Sequence, residues 1–122
     1  MDNWQAQYEF WNSFGIPAYE ETSVPKGAAY PYITYQAVDG VFGAVLPVNA
    51  SIWTRTTSWT QADTKANEIK EFIKTMGYPK IEGGRYRVFI NSDSMWAQSM
   101  NDPNDDQIKR KRLDVRFEFM TS

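Results

Sequence analysis

The strictest alternation of apolar and polar residues lies near the end of the chain. In Leu113–Phe119, Leu, Val, Phe and Phe take the odd positions, while Asp, Arg and Glu take the even positions. A period of two predicts a strand with one buried face. Arg85–Asn91 alternates in the same way. Tyr32–Val38 and Ala50–Ser58, rich in β-branched and aromatic residues, are further predicted strands, and Val41–Val45 can begin a return strand.

Two segments have the period of a helix instead. Thr60–Met76 places apolar residues in a continuous stripe among Lys, Glu and Asn, and a Gly and a Pro follow it. Asp2–Phe14 predicts a shorter helix, in which Trp4, Tyr8 and Trp11 fall on one face. We expect that aromatic face to pack on the domain's own sheet.

These elements predict a single α+β domain over residues 1–122. We expect an antiparallel or mixed sheet of about five or six strands, with the N-terminal helix and one long amphipathic helix packed on it. Ser92–Gln107 is polar and rich in turn-forming residues, and we expect it to be a loop between the last two strands.

The composition narrows the chemistry. The chain has no Cys and no His, which removes thiolate chemistry, the commonest metal ligands and the commonest general base. We therefore expect neither an enzyme nor a cofactor or metal site. Asp102, Asp105 and Asp106 lack the Gly and the terminal Glu of a calcium loop, so a solvated loop is the simpler interpretation.

Charge and hydropathy bear on location. The net charge is −2 and the pI near 5.1, which argues against a general affinity for DNA or anionic lipid. No apolar run approaches the length of a membrane span, and Met1–Asn3 lacks a basic leader, so we expect synthesis in the cytoplasm and no membrane partner.

Two features are candidate contact sites. Lys109, Arg110, Lys111 and Arg112 form the strongest run of charge. They could be an edge strand kept soluble by its charges, an ion pair with another subunit, or a phosphate contact. Trp96, an aromatic in a polar stretch, is either an interface anchor or part of the loop's own packing.

The order of aromatic and strand positions resembles that of a protein family. The resemblance runs over nearly the whole chain, through these segments: Ile16–Tyr19, Pro31–Gln36, Ile52–Arg55, Ser58–Trp59, the helix with Ala66, Glu68 and Ile69, Met95–Trp96, Asp105, Ile108–Arg110 and Leu113–Phe117. Together they are similar to the minor capsid or tail-terminator (tail-completion, head–tail joining) proteins of tailed bacteriophages and prophages.

The resemblance implies a structural role in the virion. Such α+β subunits form a ring, typically hexameric, on the last turn of the tail tube, stop its growth and present a surface to the head connector. The implied partners are copies of the same chain, the tail-tube protein and head–tail connector proteins, with genomic DNA only in passage. By position, Ser92–Gln107 and Lys109–Arg112 would lie at subunit or tube contacts. The alternative is a nucleic-acid-binding module that uses aromatic stacking and Lys109–Arg112.

Overall fold

A mixed sheet and two helices make up the part of the chain that the computed structural model describes, residues 2–39, 42–90 and 96–121. The helices are α1 (Asn3–Trp11), continued by a 3-10 turn (Asn12–Phe14), and α2 (Thr60–Thr75). The strands are β1 (Ala18–Glu20), β2 (Tyr32–Tyr35), β3 (Val45–Arg55), β4 (Lys80–Ile81), β5 (Gly84–Phe89), β6 (Ala97–Asp102) and β7 (Asp105–Thr121).

The α+β class is confirmed, with seven strands in the described residues where five or six were expected. The long helix is not borne out: both helices are short, with nine residues in α1 and sixteen in α2. Val41, where the return strand was predicted to begin, lies outside the described residues, and the strand begins at Val45.

Strand β7 organises the sheet, whose order is β1-β2-β3-β7-β5-β4. β1 pairs with β2 in parallel, and every other pairing is antiparallel, so the sheet is mixed. β3 runs along one side of β7 over eleven residue pairs, from Val45 opposite Glu118 to Arg55 opposite Ile108. On the other side of β7, β5 pairs with its second half and β6 with its first half.

The expected loop Ser92–Gln107 is wrong over the residues that are described. Ala97–Asp102 forms β6, a short turn follows, and β7 begins at Asp105, eight residues before the predicted strand. Polar side chains did not prevent a strand here, because the backbone of this part of β7 is hydrogen-bonded to β3 on one side and β6 on the other.

Both helices pack on one face of the sheet, and the core lies between them and the strands. Phe117 of β7 is fully buried there, with its ring centroid 5.5 Å from that of Phe10 in α1 and 6.1 Å from that of Tyr86 in β5. Lys65 of α2 ties the helices together by donating from Nζ to the carbonyl oxygen of Phe14 at 2.7 Å. We call this side of the sheet the helix side.

The predicted buried face of α1 is partly wrong. Trp11 is fully buried, but Trp4 and Tyr8 are 51% and 56% exposed, and the helix buries Ala6 and Phe10 instead. Aromatic residues occur on several sides of α1, so periodicity alone could not select the inward face. Asp2 caps the N-terminus of the helix, because its carboxylate accepts from the amide of Gln5 at 2.8 Å.

The burial of Tyr86 in the core can be tested at alkaline pH. Burial, with a smaller contribution from the charge of Glu9, raises the pKa of Tyr86 from 10.0 to about 12. Because the folded state holds the phenol neutral, this stabilisation is complete below pH 10 and is lost as the pH rises towards 12. The interval corresponds to roughly 2–3 kcal/mol.

We therefore expect the free energy of unfolding of the wild type to fall more steeply than that of Tyr86→Phe between pH 10 and 12. Urea titrations at pH 8, 10, 11 and 12 measure the difference, in which the other tyrosines and lysines cancel. A difference that stays constant from pH 8 to 12 would show that Tyr86 is not buried as described.

Candidate functional site

The run Lys109–Arg112 does not form one basic patch. Because successive side chains of a strand point to opposite faces, β7 places Lys109 and Lys111 on the helix side and Arg110 and Arg112 on the opposite side. The edge-strand interpretation is also wrong, since this part of β7 lies between β3 and β6.

The two lysines of the run, Lys109 and Lys111, make contacts within the fold. Lys109 is 8% exposed, donates from Nζ to the carbonyl oxygen of Asp106 and lies 5.7 Å from the ring centroid of Trp59. Lys111 places Nζ 2.9 Å from a carboxylate oxygen of Asp63 in α2 and 3.0 Å from the hydroxyl of Ser99 in β6. Both cations therefore connect β7 to neighbouring elements.

All six arginines of the chain lie on the face of the sheet opposite the helices. Strand alternation and register put them there from three strands: Arg55 of β3, Arg85 and Arg87 of β5, and Arg110, Arg112 and Arg116 of β7. We call this surface the arginine face. No described helix packs on it, and apart from the buried Ser51 the polar side chains of β3 and β7 on it are half-buried or exposed.

Arg110 is held in a fixed position. Its Nε donates to the hydroxyl of Ser51 at 2.9 Å, and its guanidinium lies 5.1 Å from the ring centroid of Trp53. Beside it is an open pocket of about 320 Å³, lined by Trp53 and the β6–β7 turn. Ser51 engages Nε alone, and the two terminal nitrogens have no hydrogen-bond partner among the described residues.

Two aromatic rings follow Arg110 across the arginine face, Trp53 of β3 and then Tyr32 of β2. Tyr32 stacks on Trp53 with centroids 6.4 Å apart and planes at 20°. The Trp53 indole donates to the hydroxyl of Thr34 at 2.9 Å. Burial raises the pKa of Tyr32 above its usual value, and the neighbouring Tyr30 raises it further by a smaller amount. Since Tyr32 and Arg110 come from the strands on either side of β3, they flank the indole of Trp53 on both sides.

Three carboxylates of β7 pair with arginines of this face: Asp105, Asp114 and Glu118. Glu118 accepts from Nε of Arg87 at 2.5 Å, and the Arg87 guanidinium lies 4.3 Å from the ring centroid of Phe89. Asp114 is 3.8 Å from Arg112, a separation at the limit of an ion pair. These side chains are partly exposed, so the two pairs contribute little stability. The contacts with Glu118 and Phe89 orient the guanidinium of Arg87.

The remaining arginines are less constrained. Arg55 pairs with Asp105 at 3.0 Å, and Arg85 donates to the carbonyl oxygen of Tyr78 at 3.0 Å. Arg116 has no ion-pair or hydrogen-bond partner among the described residues. The six arginines therefore share this face with Asp105, Asp114 and Glu118, and Asp102 lines the pocket beside Arg110, so cations are in excess although the whole chain has a net charge of −2.

Trp96 lies on the helix side, away from the arginine face. It is half-buried, packs against the core and lines a groove with Asp63, Lys70 and Lys111. Its carbonyl oxygen accepts from the amide of Asp114 at 2.9 Å, which holds the entry to β6 against β7. Its role as an interface anchor stays a prediction, and Met95 beside it lies outside the described residues.

Among residues 2–39, 42–90 and 96–121, no three His, Cys, Asp or Glu side chains come together as they would around a metal ion. Neither described helix is long and apolar enough to cross a membrane. Comparison with protein-family models, curated proteins and solved structures finds no match to this chain.

The sequence contains a signal for the arginine face that the prediction of a single basic run did not use. Arg110, Arg112 and Arg116 share the parity opposite to that of Leu113 and Phe117, so the alternation itself puts them on the outer face. The same alternation divides Lys109–Arg112 between the two faces, although its four residues form one run of charge along the chain.

The two sides of β7 predict different costs for removing a cation. Lys109→Ala removes a buried stem and a charged hydrogen bond, and we expect it to lower the free energy of unfolding by about 1–3 kcal/mol. Arg112→Ala removes a partly exposed side chain with one distant ion-pair partner, so we expect less than about 1 kcal/mol. Urea unfolding of both variants at pH 7 makes the comparison. Equal costs, or a larger cost for Arg112→Ala, would contradict the assigned faces.

Proposed function

We propose that this chain is a structural subunit of a tailed phage or prophage virion, located at the head–tail junction. In this proposal it is a tail terminator: a ring of copies caps the tail tube and joins it to the head connector. The mechanism is geometric, because one surface of the ring matches the tube end while the opposite surface offers no site for another tube subunit.

The observation that best supports an assembly role is the one-sided layering of the sheet. Both helices cover one face, and the other presents an open, charged surface from β2 to β5. Ligand sites for small molecules are concave and enclose most of the ligand, whereas a broad exposed face suits contact with another macromolecule. The resemblance in the order of aromatic and strand positions adds the specific virion role.

The alternative, a module that stacks bases on its aromatics beside Lys109–Arg112, has less support. Stacking needs a free ring face, and Trp53 is flanked by Tyr32 and Arg110. Two of the four cations in the run also lie on the helix side, at Lys109 and Lys111.

The terminator proposal is tested in a phage or prophage that encodes this chain. Deleting its gene should yield tails of irregular length, many without heads, because nothing stops tube growth. Expression of the wild-type chain should restore tails of uniform length joined to heads. Negative-stain electron microscopy of lysates measures both properties. Normal virions after the deletion would refute the proposal.

The same assay examines the Trp96 prediction. Trp96→Ala should leave a folded chain, by thermal melting, that restores uniform tails poorly. Trp4→Ala removes an exposed indole from α1 and serves as the matched control, which we expect to restore them fully. If Trp96→Ala does not fold, Trp96 is a core residue and its assignment as an interface anchor is wrong.

A further inference from the structure

The two kinds of cation are sorted between the two sides of the sheet. All six arginines lie on the arginine face, whereas five of the seven lysines belong to α2 or to the helix side of β7. Charge or solubility alone would not require this division, because Lys and Arg serve equally well for both. Arginine differs in its planar guanidinium, which binds the two oxygens of a phosphate at once and is weakly hydrated.

The arginines of β7 also form a line. Arg110 and Arg112 are two residues apart on one strand, so their Cα atoms are separated by roughly 6.8 Å, and Arg116 continues the same line four residues further on. An extended row of cations suits an extended polyanion, and Arg110 is the anchored member of this row. Contacts to Ser51 and Trp53 fix Arg110 before any ligand arrives, which lowers the entropic cost of binding.

We propose that the arginine face binds the phosphate backbone of nucleic acid without reading its base sequence. Arg110, Arg112 and Arg116 would contact phosphates along one stretch of the backbone, with Arg87 beside them on β5 and Asp114 in the gap between Arg112 and Arg116. The base edges would remain unread, because the Trp53 ring is flanked on both sides and the side chains between the arginines, Asn49, Ser51 and Asp114, are short and half-buried or buried.

The composition of the face favours nucleic acid over an acidic protein surface. Stable protein interfaces have an apolar, well-packed centre with polar residues at the rim. The centre of this face is polar instead: Asn49, Ser51, Arg112 and Asp114 lie there, and the large aromatic rings are at its margins. Protein–nucleic acid interfaces are more polar and much more positively charged.

This inference goes beyond the terminator role and does not depend on it. A chain that binds nucleic acid but does not control tail length would retain the inference and lose the proposed function. If the variant with substituted arginines still caps tails and the wild type does not bind nucleic acid, the proposed function stands and the inference is wrong.

Fluorescence anisotropy with a labelled 30-base-pair duplex tests the inference on the full chain. We expect saturable binding at low salt that weakens steeply as salt rises, with equal affinity for two unrelated sequences. Arg112→Gln/Arg116→Gln should lower the slope of log K against log salt by about 1.8, at about 0.9 per phosphate contact. Arg112→Lys/Arg116→Lys should retain most of the slope.

The matched control removes two cations from the helix side. Lys70→Gln/Lys74→Gln changes the net charge equally, and we expect the slope to stay that of the wild type. Equal losses in the two Gln pairs would show that net charge, not the arginine face, drives binding, and would refute the inference.

Two other outcomes would also overturn it. One is no binding of the duplex at 25 mM salt. The other is competition by polyglutamate as effective as that by unlabelled duplex at equal charge, which would assign the face to an acidic protein partner. If sedimentation shows arginine-dependent self-association without duplex binding, the face is a contact between copies of the chain and the inference is wrong.

Discussion

The pairing of β7 with β3 is the constraint on which the rest of this structure depends. Eleven successive residue pairs fix the register between Val45–Arg55 and Ile108–Glu118. A slip by one residue would turn Leu113 and Phe117 outward and Arg112 and Arg116 into the core. The burial of β7's aromatic and aliphatic residues therefore also fixes the face of the sheet on which the arginines of β7 lie.

This coupling explains how a chain of net charge −2 presents a basic surface. The cations of β7 are divided by parity: Lys109 and Lys111 connect the strand to Trp59 and Asp63, while the arginines project from the other face. An assembly subunit and a phosphate-binding surface are compatible uses of this layout, because the helix side with the Trp96 groove and the arginine face are separate surfaces.

The sequence predicted those elements whose apolar period was unambiguous. The alternation of Leu113–Phe119 and the stripe of Thr60–Met76 agree with β7 and α2, and the α+β class follows from them. The first half of β7 and all of β6 were missed, because neighbouring strands and not apolar alternation hold polar residues there. In α1, aromatics on several sides hid the inward face, and only the surrounding packing selects Phe10 and Trp11 over Trp4 and Tyr8.

The continuity of β7 is the central claim, and amide hydrogen exchange followed by NMR tests it most directly. If β7 is one strand between β3 and its partners, the amides of Lys109–Arg112 exchange as slowly as those of Leu113–Phe117, through a shared opening. Fast, loop-like exchange confined to residues 105–112, beside slow exchange after Leu113, would contradict the account and with it the alignment of the arginines.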